Sequence, residues 1–323
     1  MTRPRTLLLL AVKYENRKHV EASYMQGKQS VPGSSEKSFD VQRYWEDRLT
    51  RDYSLASVGW LGLGTSYNRW MYRVRQWLFM HRVPRFCPRA DFDVLDIGSG
   101  TGFYIALWER LSPRSITGID ITDIAIRRLT ELFPNHTFIR ADITDEVTGI
   151  VDKQFDVISA MDMLFHLVDD DDYRHALHNV SALLKPGGIF IFTENFLHVK
   201  ESKGVHQVSR SLKTLRTLIQ EVGLDEISRR PVFVLMNSPT DSSSRVHAKF
   251  WSLLSRGVQH HELIGAFTGA CLYPLEIILA SALSEGPSTE MMVCQKPSYP
   301  VNAFEGFSSK SCANLGRASE PSP

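Results

Sequence analysis

The chain predicts a doubly wound α/β fold, and three observations carry that prediction. Apolar runs of strand length alternate with segments of helical period from Asp93 to Glu194. Glycines at three alternate positions follow the first of those runs at once, in "DVLDIGSGTGFY" (Asp93 to Tyr104). The next two runs, "SITGID" and "HTFIRADI", carry Asp120 and Asp142 at or near their C-terminal ends. Strands separated by helices pair in parallel through right-handed crossovers, and ligands bind beyond the carboxyl ends of such strands.

Taken in order, residues 1–37 are polar and irregular and read as a poorly ordered extension. "LLLLAV" (Leu7 to Val12) follows two arginines, but its apolar core is short and no small-residue cleavage pattern follows, so it is not read as a signal peptide. Residues 38–88 read as a helical segment. One helix lies in "FDVQRYWEDRLTRD", opened by Ser38 or Asp40. A second runs from Tyr67 to Phe79, with Tyr67, Trp70, Met71, Val74 and Leu78 at helical spacing and Arg69 and Arg73 on another face.

From Pro88 onward strands and helices alternate. "FDVLDIG", "SITGID", "HTFIRADI", "FDVISAM" and "IFIFTEN" read as strands. "GFYIALWERL", "TDIAIRRLTELF" (opened by Thr122 or Asp123) and "DDDDYRHALHNVSALL" read as helices, the last with acids in its first turn and "KPGG" ending it. "LIGAFTGACLYPLEIILASAL" (Leu263 to Leu283) is long enough to span a bilayer. Pro274 and Glu276 near its middle argue instead for a buried helix pair broken near Pro274, with contact to a membrane surface as the lesser reading. Residues 298–323, rich in Ser, Pro, Gly and Ala, read as a disordered tail, so the main domain is expected over 89–297.

Composition narrows the class. Of 323 residues 43% are hydrophobic and 23% charged, and the net charge of +1 gives no global field to recruit nucleic acid. Cys87, Cys271, Cys294 and Cys312 form no CxxC pair, which signals neither a disulfide framework nor zinc and suits a cytoplasmic setting. His260 and His261 are adjacent and do not share a helix face, so no metal is expected there.

The glycines Gly98, Gly100 and Gly102 turn the first strand into the first helix and offer free backbone amides to a ligand. Asp120 can accept from both ribose hydroxyls of a nucleoside, and Asp142 from an adenine amino group. The dinucleotide fingerprint G-x-G-x-x-G is not met, because Phe103 stands at its sixth position. Asp96, at the strand's last turn, would repel a pyrophosphate and attract an ammonium. S-adenosylmethionine carries that ammonium and no phosphate.

"VLDIGSGTG", "GIDIT", "RADIT", "FDVISAMDMLFHL" and "LLKPGGIFIFTEN" stand in order over Asp93 to Glu194, and together they resemble the motifs of class I S-adenosylmethionine-dependent methyltransferases. The resemblance implies a Rossmann-like, seven-stranded, mostly parallel sheet with its last strand antiparallel, "PVFVLMN" and "STEMMVCQKP" being candidates for the final two strands. It assigns Asp96 and the Gly98–Gly102 loop to the methionine part, Asp120 to ribose, Asp142 to the adenine amino group and Ile143 to the adenine ring, with Ile121 also at the cofactor. It also places Met161, in "MDMLFHL", at the site. "YWEDRL" and "LGLGTSYNRWMYRVR" resemble the N-terminal helices of a small-molecule subgroup, which would make them a lid with Tyr67 or Arg69 facing the cofactor; a helical insert is expected before the last strand.

The expected activity is methyl transfer to oxygen or nitrogen of a small-molecule acceptor, with no nucleic acid partner and no stable membrane insertion. The missing N/D-P-P-Y signature after the fourth strand argues against exocyclic amines of bases. His166, just after that strand, is the first candidate for a general base, with an ordinary pKa near 6.5 expected, and His206 is the second. His206 and Arg210 otherwise read as a solvated loop. A nicotinamide-dependent oxidoreductase and a non-catalytic binding partner with the same fold are the competing classes.

Overall fold

A computed structural model describes residues 40–146, 153–198, 201–204 and 206–298. The extension over 1–37 and nearly all of the tail lie outside the described residues. The sheet contains β1 (Asp93–Ile97), β2 (Ser115–Asp120), β3 (Thr137–Arg140), β4 (Phe155–Ala160), β5 (Leu184–Glu194), β6 (Asp225–Pro231) and β7 (Glu290–Gln295). Their order across the sheet is β3-β2-β1-β4-β5-β7-β6. β1 to β5 pair in parallel, and β7 runs antiparallel between β5 and β6. The order in which strands are added therefore reverses between β1 and β4, the switch point at which such sheets open a crevice.

β1 is buried along its whole length, and its side chains alternate between two cores. Val94 packs with one cluster and Leu95 and Ile97 with the other. The first core joins the sheet to α1 (Val41–Arg51), α3 (Gly64–Arg82), α4 (Phe103–Glu109) and α5 (Asp123–Leu132) through residues such as Leu49, Val74, Trp108 and Leu129. The second takes α6 (Asp170–Leu183) and α7 (Leu212–Glu221) through Tyr173, Leu177 and Leu215. Between α1 and α3 lies the single turn α2 (Leu55–Val58).

The caps follow the sequence. Asp40 opens α1 by accepting from Arg43 N at 2.9 Å, and Thr122 opens α5 by accepting from Ala125 N. Asp169 opens α6 and accepts from Asp171 N and Asp172 N. β5 begins at Leu184, so "KPGG" is already strand, and Gly187 takes a φ of 80° there.

Two expectations about the C-terminal part need correction. The sixth strand is Asp225–Pro231, not "PVFVLMN". The amides of Val234, Leu235 and Met236 in that stretch donate to the Glu276 carboxylate, at 2.6, 2.8 and 3.2 Å, and are not free for a ladder. The long apolar stretch is not broken at Pro274. It forms one continuous helix, α9 (Glu262–Ala282), preceded by α8 (Arg245–His260). Nor is it buried: only one side of α9 meets the domain, at Gly265, Gly269, Glu276 and Ala280.

Candidate functional site

A cleft opens at the carboxyl ends of β1, β2 and β4, under α1, α2 and α3. Its floor is the glycine turn. Gly98, Gly100 and Gly102 have φ of 72°, 50° and 80°, a region that L side chains enter at a cost. The turn is tied to β2: Gly98 N and Ser99 N donate to the Ile119 carbonyl at 2.8 and 3.1 Å. A Cβ on Gly98 would stand 2.5 Å from Met163 Cγ, and one on Gly102 would stand 2.5 Å from Phe133. Gly100 differs. Its nearest neighbour for an added Cβ is Val58 at 3.5 Å, and its free side belongs to the cleft. Two of the glycines answer to the protein's own packing, and the middle one keeps a cradle open beside free backbone.

Asp120 ends β2 inside this cleft. Its Oδ2 accepts from Gly100 N at 2.9 Å, and its Oδ1 accepts from Thr122 N and Oγ1 at 3.0 and 2.7 Å. Those bonds fix the carboxylate, while burial raises its pKa above the ordinary carboxylate range. Asp96 is buried behind the turn rather than among the residues lining the cleft. It accepts from Ser159 Oγ at 2.6 Å, and Ser159 Oγ accepts from the Trp108 indole. Burial, aided by the nearby Asp120 charge, pushes Asp96 up to about 7. These are two buried carboxylates beside a backbone cradle, and among the described residues no cation is paired with either. They fit a ligand that brings hydroxyl donors and an ammonium.

Beyond the cradle the wall is aromatic and apolar, with Trp45, Leu49, Tyr72, Phe103 and Met161 around it. Tyr53 donates its hydroxyl to Gly100 O at 2.8 Å and so latches the helical segment onto the turn. Asp162, also lining the cleft, has φ of 56°, strain of a kind that marks a tightly determined position. Its carboxylate accepts from Arg75 Nε at 2.6 Å, from Tyr104 OH at 3.3 Å and from Thr193 Oγ1 at 3.1 Å. The Asp162 charge holds the Arg75 guanidinium protonated despite its burial.

His166 lines the same cleft, edge-on to Trp45 with ring centroids 4.9 Å apart. Its Nδ1 donates to the His206 carbonyl at 2.9 Å, which leaves Nε2 as the acceptor. Burial lowers its pKa to about 4, so the ordinary value expected from sequence does not hold: the bond to the His206 carbonyl and the Asp162 charge favour the cation, but they do not offset the loss of solvent. His206 stacks behind it, ring centroids 6.1 Å apart, and burial lowers it too.

Of the remaining candidates, Asp142 uses Oδ1 to accept from Thr144 N and Oγ1, at 2.9 and 2.8 Å, closing the loop after β3. Ile143 is buried in the second core, and Ile121 is half-buried beyond β2. None of the three is among the residues lining the cleft.

Three further expectations fail at the site. Tyr67 is fully buried and donates its hydroxyl to Met236 O at 3.1 Å, away from the cleft. Arg69 is exposed. The face of α3 that turns to the cleft is the one carrying Tyr72 and Arg75, because Tyr67 is claimed by the segment after β6. Arg210 is not in a solvated loop: it is buried over the Tyr173 ring at 4.1 Å and donates to Leu167 O at 2.9 Å and Asp170 at 2.8 Å. It thereby pins the segment carrying His166. Sequence reasoning misses Tyr53, Trp45, Tyr72, Arg75 and Asp162. Trp45 lies within "YWEDRL" and Asp162 within "MDMLFHL", so the motifs mark the regions without marking these side chains.

Fold and site define a class. The strand order, the antiparallel last strand and the glycine turn with Asp120 are those of a Rossmann-like methyltransferase domain, and residues 94–188 match the family described as "Methyltransferase domain". This segment is a methyltransferase domain of the class I, S-adenosylmethionine-dependent superfamily. Among relatives, the chain is 36% identical over 101 residues to the tRNA U34 carboxymethyltransferase of Nautilia profundicola, covering 30% of this chain and 32% of that protein. It is 36% identical over 142 residues to the ubiquinone biosynthesis O-methyltransferase of Pseudomonas aeruginosa, covering 40% of this chain and 59% of that one. The chain thus matches less than two thirds of the length of either relative. Among solved structures, the N-methyltransferase NodS of Bradyrhizobium japonicum, in complex with S-adenosyl-L-homocysteine, superposes with a TM-score of 0.46 at 17% identity, over 80% of this chain and 98% of that one.

Proposed function

We propose that this chain transfers a methyl group from S-adenosylmethionine to oxygen or nitrogen of a small-molecule acceptor, in the cytoplasm. The observation that carries the reading is the pairing of the Gly100 cradle with a fixed Asp120 carboxylate 2.9 Å from its amide. Asp120 accepts from the ribose hydroxyls, the turn amides take the methionine end, and Asp96 supplies the negative charge behind it. Asp142 has Oδ2 to offer an adenine amino group.

The bound cofactor supplies a methyl group already activated on a sulfonium. What the protein must add is alignment of the acceptor and exclusion of water, which can be worth several kcal/mol. Trp45, Tyr72 and Phe103 provide an apolar wall for an acceptor. Nε2 of His166 accepts a hydrogen bond from the acceptor group and orients it. A histidine with a pKa of about 4 is a weak proton acceptor. That favours an amine, or a hydroxyl acidified by conjugation, over a simple alcohol. The small-molecule assignment is supported by the aromatic wall and by a net charge of only +1.

The reading is tested by calorimetry and by a substrate screen. S-adenosylhomocysteine should bind and NADH should not; the reverse would move the chain to the oxidoreductases. Labelled methyl donor offered with panels of small amines and phenols should give a labelled product. Binding of cofactor with no transfer to any acceptor, and transfer to tRNA in place of small molecules, would each overturn the acceptor assignment.

A further inference from the structure

The most unusual surface of the domain lies away from the cleft. α9 commits one side to the protein along its whole length. Gly265 and Gly269 let it approach α3 closely, where an added Cβ would stand 3.3 Å from Tyr67 N and 2.3 Å from the Trp70 ring. Further along, Glu276 is bound into the loop after β6, and Arg82 donates to the Ala280 carbonyl. The opposite side carries Leu263, Ile264, Phe267, Leu275 and Ile278, of which Leu263 is 86%, Phe267 73% and Ile278 62% exposed. Ala270, Cys271 and Pro274 fill the spaces between them and are exposed as well. At about 1.5 Å per residue this is an apolar stripe roughly 22 Å long. Soluble monomers rarely leave such a stripe bare.

α8, which packs against α9, carries a second exposed apolar row. Val246 is 79% and Leu253 71% exposed, and with Phe250 they recur at i, i+4 and i+7. Arg245, Lys249 and Arg256, all exposed, form a parallel row at i, i+4 and i+11 beside them. From Arg245 to Leu283 the only acids are Glu262 and Glu276. Both are turned onto backbone amides: Glu262 accepts from Thr65 N and Ser66 N at 2.8 and 2.6 Å, and Glu276 is buried. The outward surface is therefore apolar with a basic margin, and its acids are engaged by the domain itself.

We infer that α8 and α9 form a docking surface for an anionic lipid bilayer, with α9 lying in the plane of the interface. An apolar face flanked by Lys and Arg is what binds at the headgroup boundary, the side chains entering about 5–10 Å. The helix does not cross the bilayer, because its inner side is held by the domain from Gly265 to Ala280. A second copy of this chain fits less well. A two-fold contact would set the row of Arg245, Lys249 and Arg256 against a like-charged surface, with no outward acid on either helix to pair it.

The test is co-sedimentation of the full chain with vesicles of phosphatidylcholine alone and of phosphatidylcholine mixed with phosphatidylglycerol, at low and high salt. The protein should pellet with the mixed vesicles and less with the neutral ones, and salt should weaken the binding. Phe267→Asp and Ile278→Asp should each lower vesicle binding at least tenfold, while melting temperature and S-adenosylhomocysteine affinity stay unchanged because both side chains are exposed. Lys249→Glu should lower binding to the mixed vesicles by at least roughly fivefold, the scale for one surface cation. A parent protein that stays in the supernatant with both vesicle types would overturn the inference. So would a Phe267→Asp variant that pellets like the parent. A parent that is a dimer by light scattering, ignores vesicles and becomes a monomer in Phe267→Asp would assign the surface to a second copy.

Discussion

Asp120 is where the site's geometry converts most directly into a measurement. Its carboxylate accepts three hydrogen bonds, one from the glycine turn and two from Thr122. In Asp120→Asn the amide oxygen can keep Thr122, but the NH₂ then faces Gly100 N–H, donor against donor. One charge-assisted bond is lost, about 1.5–3 kcal/mol. Burial raises the native carboxylate's pKa, so a neutral side chain recovers part of a desolvation penalty. The two terms oppose each other, and unfolding should change by only ~1 kcal/mol, or ~2–4 °C in melting temperature. In Asp120→Ala all three donors lose their acceptor, and unfolding should fall by roughly 2–4 kcal/mol. Binding has no such compensation, because the ribose hydroxyls lose a charged acceptor in both variants. Calorimetric titration with S-adenosylhomocysteine should show at least a tenfold loss of affinity for each, with the folded fraction followed by thermal melting. If either folded variant bound as tightly as the parent, Asp120 would not be the ribose acceptor and the site assignment would fall.

Gly100→Val should leave a folded protein, since an added Cβ meets nothing closer than 3.5 Å, and should abolish cofactor binding by filling the cradle. Gly102→Val should instead lower the melting temperature strongly, because the same Cβ meets Phe133 and Leu129 at 2.5 and 2.8 Å; equal melting of the two variants would contradict this division. Asp96, lifted from 3.8 to about 7, destabilises the ligand-free fold increasingly as pH rises between those values. Asp96→Asn should therefore gain stability over the parent at pH 8, by up to ~4 kcal/mol, and gain little near pH 4, whereas a pH-independent difference would refute burial of the charged carboxylate as its cause. His166→Ala should keep cofactor affinity and lower turnover by roughly 2–10-fold, the scale of one orienting hydrogen bond, and unchanged turnover would remove His166 from the mechanism.

The local code of the sheet and its turn is written in the sequence. β1, the alternating glycines and the acid ending β2 depend on neighbours a few residues apart, through strand periodicity and the φ that glycine permits. That is why Gly98, Gly100, Gly102 and Asp120 are legible as a cradle and a carboxylate. Which face of α3 meets the cleft is not, because Tyr67 and Tyr72 are both aromatic and both buried. The choice depends on Tyr67 finding the Met236 carbonyl and on Gly265 of α9 reaching Tyr67, both contacts with residues far along the chain. The same holds for the Glu276 carboxylate, which takes up the amides of a stretch that reads as a strand. The pKa of His166 is likewise hidden: the Trp45 ring of α1 and the His206 carbonyl from beyond β5 enclose it. Periodicity and turn chemistry are properties of short segments, and the sequence alone determined those. Burial, and with it charge state and the choice of lid residue, is a property of what packs on top, and only the tertiary structure decided that.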